Sequence, residues 1–241
     1  MLVAEIIVSM NVFVMNKTLA EIISSREDLS NYLFHFTKGR NAKNTLKSII
    51  NDNAIKDINH TGHICFSEAP VTMLASMFDI FRRYLQPMYA PYGVGIRKDV
   101  IYQKGGRPVF YGDESVENIL PEAFKWRYEL YNPDNHDFTW LREWRLPKAE
   151  VELSFDNCFF IVDTNNDVEE LWHLINAIDL DIDAQPEDGG VQTRYDVYLS
   201  KRYRMVSMEE ITKVCMMNKR ELQKELSMQP EEDCLYGSSW E

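Results

Sequence analysis

Three polar residues stand inside short apolar runs, and each carries a group that can do chemistry. His35 lies in Leu33-Phe34-His35-Phe36-Thr37, Ser67 in Ile64-Cys65-Phe66-Ser67-Glu68-Ala69-Pro70, and Glu143 in Trp140-Leu141-Arg142-Glu143-Trp144-Arg145-Leu146. In a strand, successive side chains alternate between faces, so the first imidazole points away from Phe34 and Phe36. Held that way, His35 either donates to a ligand hydroxyl or amide or serves as a core histidine bonded to a backbone carbonyl. The Ser67 hydroxyl precedes Pro70, where it either caps a helix or contacts a ligand above the sheet. Glu143 shares a face with Leu141 and Arg145. Burying a carboxylate among tryptophans is costly unless it is paired. It therefore either stabilises a developing cation, such as a sugar oxocarbenium, or makes an ion pair with Arg145 or Arg107. Tyr92-Gly93-Val94-Gly95 would let a backbone approach a ligand closely. GxxxxGK[ST], GxSxG, HExxH and DxDxDG are all absent, which disfavours the chemistries those motifs carry.

The chain around these residues is an ordinary globular one. Of 241 residues, 45% are hydrophobic and 27% charged, enough to bury a core. The four cysteines form no CxxC pair and have no histidine at metal-ligand spacing. A disulfide scaffold or zinc site is not expected, and free thiols fit a cytoplasmic protein. The apolar run Met1–Met15 is interrupted by Glu5 and Asn11, lacks a basic flank and is shorter than the roughly 20 residues a bilayer demands. It is expected to be an added strand or helix on the core, with the true start at Met1, Met10 or Met15. No membrane association is expected. The net charge is −12, and 12 acidic residues with no Lys or Arg fall in Ala149–Thr193. Asp79–Arg107 is biased the other way by Arg82, Arg83, Arg97, Lys98, Lys104 and Arg107. The bulk charge argues against wholesale nucleic-acid coating, yet a local basic lip can guide an anionic ligand.

Periodicity and punctuation predict the elements that must position the site. Strands are expected at Leu33–Thr37, His63–Glu68, Gly93–Ile96, Pro108–Tyr111, Leu141–Leu146 and Cys158–Asp163. Helices are expected at Thr18–Leu29, Thr45–Asn53, from Pro70 along a stripe reaching Leu85, over Val116–Tyr131 with Pro121 placing a break or a late start inside it, from Asn165-Asn166 through Ile175, and from Ser207 to about Met228. Asn132–Asn135 reads as a turn, Asp181–Gly190 as a loop, and Pro230–Glu241 as an acidic tail. The irregular order of strands and helices predicts one α+β domain over residues 1–228, with its core at 32–163.

Taken in order, Leu-Phe-His-Phe-Thr, His-Ile-Cys-Phe-Ser-Glu-Ala-Pro, Tyr-Gly-Val-Gly-Ile-Arg-Lys-Asp, Gly-Gly-Arg-Pro-Val-Phe-Tyr-Gly and Arg-Glu-Trp-Arg-Leu-Pro resemble phage-resistance proteins of the AbiGi-like kind. More distantly they resemble the ADP-ribosyltransferase fold, including DarT-type nucleic-acid modifiers. The similarity spans roughly Tyr32–Pro147. It implies a split mixed sheet with surrounding helices, gripping NAD as substrate without a metal. It also implies a catalytic Glu143 that stabilises the oxocarbenium ion, with His35 holding the nicotinamide ribose. Phe36, Thr37, Ser67 and Tyr92 would complete the NAD site, Tyr92 as the ring on nicotinamide. Arg82, Arg83, Arg97 and Arg107 would meet a nucleic-acid acceptor, RNA or DNA. Leu141 stands where arginine-modifying members of the family have an acid, which makes arginine a poor acceptor. The role implied is a defence toxin; a NAD glycohydrolase and a non-catalytic antitoxin or binding module with a cognate partner protein are the alternatives.

Overall fold

The computed structural model describes residues 30–132, 137–187, 190–218, 220, 221 and 224, with the side chains of 177–202 left aside. The Thr18–Leu29 helix, the Met1–Met15 run, the acidic tail and most of the 132–135 turn lie outside these residues.

In chain order the elements are β1 (Tyr32–Phe36), α1 (Ala42–Asp52), β2 (Ala54–Lys56), β3 (Ile64–Ser67), α2 (Val71–Phe81), β4 (Gly93–Arg97) and α3 (Lys98–Gln103). Then follow β5 (Arg107–Pro108), β6 (Phe110–Gly112), α4 (Glu114–Ile119), α5 (Glu122–Lys125) and β7 (Tyr128–Leu130). The chain continues through β8 (Glu143–Leu146), β9 (Glu150–Glu152), β10 (Cys158–Val162) and α6 (Asn165–Ile175). It closes with β11 (Asn176–Glu187), β12 (Gly190–Arg202), β13 (Arg204–Ser207) and α7 (Met208–Cys215). The protein is thus α+β, as the sequence predicts.

A seven-stranded mixed sheet in the order β13-β10-β4-β1-β3-β8-β5 forms the centre. Its one parallel pair is β10 with β13; the others are antiparallel. Strand alternation sends two sets of side chains to opposite faces. One face carries Leu33, Val94, Phe160, Phe66 and Trp144, packed with Leu46 and Ile50 of α1 and Leu171 of α6. The other carries Phe34, Phe159, Ile161 and Val206 under Leu74 and Phe78 of α2 and Ile211 of α7. Gly95 makes room for this second layer: a Cβ there would lie 2.8 Å from the Phe159 ring and 3.1 Å from that of Phe34.

Local chemistry sets the helix ends. Asn53 adopts the left-handed conformation (φ 54°) and returns its N–H to the Ile49 and Ile50 carbonyls, ending α1. Thr164 and Asp167 form a reciprocal capping box that starts α6. Ser207 caps α7 by accepting from the Glu210 N–H.

Several expectations are corrected. Leu141 belongs to a 3-10 turn (Thr139–Leu141), and Arg142 is left-handed (φ 48°), so strand β8 starts only at Glu143. The stripe beyond α2 does not continue: the helix ends at Phe81 and Leu85 is 73% exposed. The Val116–Tyr131 helix breaks at Pro121 as expected, into α4 and α5, but its end is strand β7. The Pro108–Tyr111 strand is divided between β5 and β6. Of the expected Asp181–Gly190 loop, Asp181–Glu187 instead ends β11, paired with β12 in a long antiparallel ribbon, and 188 and 189 lie outside the described residues. The helix expected from Ser207 to about Met228 is interrupted: α7 stops at Cys215, Arg220, Glu221 and Lys224 are again helical, and the residues beyond Lys224 lie outside the described ones. Among the described residues no helix is long and apolar enough to cross a membrane.

Candidate functional site

The sheet is pulled open between β1 and β3. Every residue of β1 from Tyr32 to Phe36 pairs with β4, whereas its other edge meets β3 only at Phe34 and Ser67. Beyond that bridge, the His35 imidazole reaches across the gap. Its Nδ1 lies 2.9 Å from the Cys65 carbonyl. A carbonyl only accepts, so Nδ1 is the protonated nitrogen, and Nε2 of the neutral ring is left as an acceptor. Burial lowers the pKa of His35, as does the charge of Lys38, against the raising effect of the Cys65 carbonyl. The ring is therefore neutral at pH 7. With Nδ1 committed to the carbonyl, Nε2 can accept a hydrogen bond but not donate one, the opposite of the donor role expected. His35 is at once the backbone-bonded histidine and a cavity-facing one.

A cavity of about 800 Å³ occupies the split. Its walls include His35, Phe36, Thr37 and Lys38 from the β1 side, Thr45 and Ser48 of α1, and Ser67, Glu143 and Tyr89 across the gap. The register explains how both faces contribute. Phe34 pairs with Ser67 and Ser67 with Glu143, so these three share the α2 face, while His35 belongs to the α1 face. In an intact sheet His35 and Glu143 would be separated by the backbone layer. The opening beside the Phe34–Ser67 bridge puts both on one cavity.

Glu143 is held on its strand by a relay. Arg145 Nε donates to Glu143 Oε1 at 2.8 Å. The same guanidinium donates to the Tyr128 carbonyl at 3.0 Å, to the Trp126 carbonyl at 3.2 Å, and to the Glu129 carboxylate. The expected pairing with Arg145 is thus present, but it does not neutralise the site. Two carboxylates share one guanidinium, so the cluster keeps a net negative charge beside the cavity. Burial and Glu143 together push the Cys65 thiol up to about 12, and the Tyr111 hydroxyl likewise rises to about 12. Tyr89 moves upward for the same two reasons.

The other candidates fall into two groups. Phe36 and Thr37 line the cavity, but the Thr37 hydroxyl lies 2.8 Å from the Tyr92 carbonyl and 3.1 Å from that of Ala42, anchoring the entry to α1. Ser67 does not cap α2, whose cap position is Pro70. Its hydroxyl donates to the Leu141 carbonyl at 2.7 Å and accepts from the Ala69 N–H at 3.2 Å. That fixes the 3-10 turn leading into Glu143, which makes Ser67 a positioning residue. Tyr92 does not line the cavity; its hydroxyl donates to Asp167 at 3.1 Å on the far side. A tyrosine ring that does line the cavity is Tyr89, two residues past the Pro87 signal that ends the helical stripe. The expected basic lip is also absent from the cavity. Arg82 pairs with Asp163, Arg97 with Asp99, and Arg107 donates to the Tyr102 and Gly106 carbonyls over the Tyr102 ring. Arg83 follows α2 and lines nothing at the site. The lysines on the cavity are Lys38 and Lys56, the latter 2.8 Å from Asp52. Sequence alone did not single them out, because isolated lysines carry no spacing signal.

No family model, curated protein or solved structure matches this chain.

Proposed function

We propose that the protein cleaves the nicotinamide–ribose bond of NAD and transfers ADP-ribose to a nucleic-acid acceptor, as the resemblance to ADP-ribosyltransferases and phage-resistance proteins implies. The observation that carries this reading is Glu143 on the same cavity as the neutral His35. A dinucleotide needs a cleft of a few hundred cubic ångströms or more, and about 800 Å³ is within the usual range. Departure of nicotinamide leaves positive charge on the ribose ring. The uncompensated carboxylate charge of the Glu129–Arg145–Glu143 cluster favours that charge without reorganising, because the cluster is already hydrogen-bonded in place. His35 Nε2 accepts from a ribose hydroxyl and orients the sugar. Tyr89 offers a ring to the nicotinamide, and Lys38 a cation to the diphosphate.

Hydrolysis, with water as acceptor, is a second reading. It is favoured by the arginine placement, since Arg82, Arg97 and Arg107 are engaged elsewhere and do not flank the cavity. Incubating the protein with adenylate-labelled NAD, with and without RNA and DNA oligomers, separates the two. Label on an oligomer supports transfer, and free ADP-ribose alone supports hydrolysis. Glu143→Gln is expected to slow nicotinamide release by about 10²–10³-fold, as for removal of a preorganised electrostatic group. Absence of nicotinamide release by the wild type sinks both readings.

A further inference from the structure

His63 sits on the same cavity as Glu143 and is unused by the chemistry above. It immediately precedes β3 and continues the alternation of Cys65 and Ser67, whose register partners on β8 are Arg145 and Glu143. That alternation places it on the Glu143 face, diagonal to Arg145. The segment before it is pinned. The Asp57 carboxylate accepts from the Gly62 N–H at 2.7 Å and the Thr61 N–H at 3.1 Å, and the Thr61 hydroxyl donates to the His63 carbonyl at 2.9 Å. His60 and Gly62 take positive φ (54° and 83°) to make this turn. A histidine at the end of so constrained a turn is presented to the cavity in a fixed position.

We propose that His63 is the general base that takes the proton from the acceptor, and hence that the acceptor is a neutral protic group such as a hydroxyl or imide N–H. This inference rests on the reading of the cavity as an ADP-ribosyl transfer site. The acceptor oxygen or nitrogen attacks ribose C1′ as the C1′–N bond breaks, its electron pair leaving with neutral nicotinamide. The acceptor proton passes to a ring nitrogen of His63 and then to solvent. His35 is not assigned as the base, because its one accepting nitrogen, Nε2, is taken up by the ribose hydroxyl in the reading above.

The charged and titratable groups facing His63 are Asp57 from its own turn, Cys65 from β3, and Glu143 and Arg145 from β8. Desolvation and Arg145 lower its pKa, while Glu143, Asp57 and a backbone hydrogen bond at Thr61 raise it. The balance is downward, so the ring is unprotonated and able to accept a proton at neutral pH.

The test compares wild type, His63→Gln and Glu143→Gln as full-length chains, with labelled NAD and RNA or DNA oligomers, across a pH series. His63→Gln is expected to lower transfer by about 10²-fold with NAD affinity by calorimetry within about twofold of wild type, and to remove the acid limb of the transfer kcat/KM profile. Retention of wild-type transfer and of that limb overturns the proposal. So does a loss of NAD affinity as large as the loss of transfer, which would make His63 a support for the cavity rather than a base. Nicotinamide release by the wild type with no labelled acceptor overturns the base assignment alone; no release at all overturns the underlying reading with it. Proton NMR gives a measure independent of turnover. The His63 titration is expected to move downward in Glu143→Gln, because a raising charge is lost, and an unmoved titration contradicts the proximity on which the proposal stands.

Discussion

His35 and Cys65 are joined by an imidazole-to-carbonyl hydrogen bond of 2.9 Å across strands that no longer pair there. The side chain spans the opening that makes the cavity, so one residue both props the split and faces the ligand space. Its removal has two separable consequences.

The first concerns pH. Burial depresses the folded-state pKa of His35 below its ordinary 6.5. Above the ordinary value neither state is protonated and its contribution is fully present. As pH falls below that value, the unfolded chain takes up the proton first, and stability declines toward the lower folded pKa. His35→Gln is expected to lose part of this acid sensitivity. Urea midpoints of wild type and variant at about pH 7.5 and about pH 5.5 check it, a smaller drop in the variant being the expected result. In turnover, the same variant is expected to raise KM for NAD more than it lowers kcat.

Arg145 is the hub of the carboxylate cluster, with its side chain 11% exposed and that of Glu143 13% exposed. Arg145→Met leaves Glu143 and Glu129 without their shared counter-charge and the Tyr128 and Trp126 carbonyls without a donor. A loss of about 3–5 kcal/mol is expected from chemical denaturation. A change under about 1 kcal/mol would show that water already screens the cluster.

Gly93 pairs with Phe36 on the β4 side of β1, the edge away from the cavity. A Cβ there would lie 2.6 Å from the His35 carbonyl oxygen and from the Phe36 ring. Gly93→Ala is expected to cost about 1–3 kcal/mol by overpacking, and to weaken NAD binding because it displaces the strand that carries His35. Thermal melting and calorimetric titration with NAD read the two effects.

Cys65 is exposed, yet burial of its sulfur environment and the neighbouring Glu143 push its thiol up to about 12. Iodoacetamide is expected to alkylate it slowly at neutral pH, and faster in Glu143→Gln, where a charge opposing the thiolate is gone. Equal rates in the two proteins would mean that Glu143 does not face the sulfur.

The sequence by itself determined the strand and helix identities that depend on local pattern. The alternation around His35 puts it opposite Phe34 and Phe36, the 3,4-spacing of Leu46, Ile49 and Ile50 makes α1, and the Ser207–Glu210 spacing caps α7. These follow from backbone geometry over a few residues. The same local logic failed where a distant partner decides. Leu141 and Arg142 read as strand, but the Ser67 hydroxyl and the Glu68 N–H capture the Leu141 carbonyl and turn the chain before Glu143. Asp181–Glu187 looks like part of a loop by composition, yet ladder pairing with β12 holds it extended. Charge clustering suggested a basic lip, but Arg82 pairs with the distant Asp163, while Arg97 and Arg107 are held by neighbours in sequence, Asp99 and the Tyr102 and Gly106 carbonyls.

The site divides in the same way. His35 and Glu143 were legible as polar groups set in apolar strands. Their relation was not, since period-2 alternation combined with the Phe34–Ser67–Glu143 register assigns them to opposite faces. Only the tertiary structure lets both reach one cavity, by parting β1 from β3 and filling the missing backbone pairing with an imidazole. Tyr89, Lys38 and His63 join them there because the chain returns to the split from three directions, and no spacing along a sequence records that return.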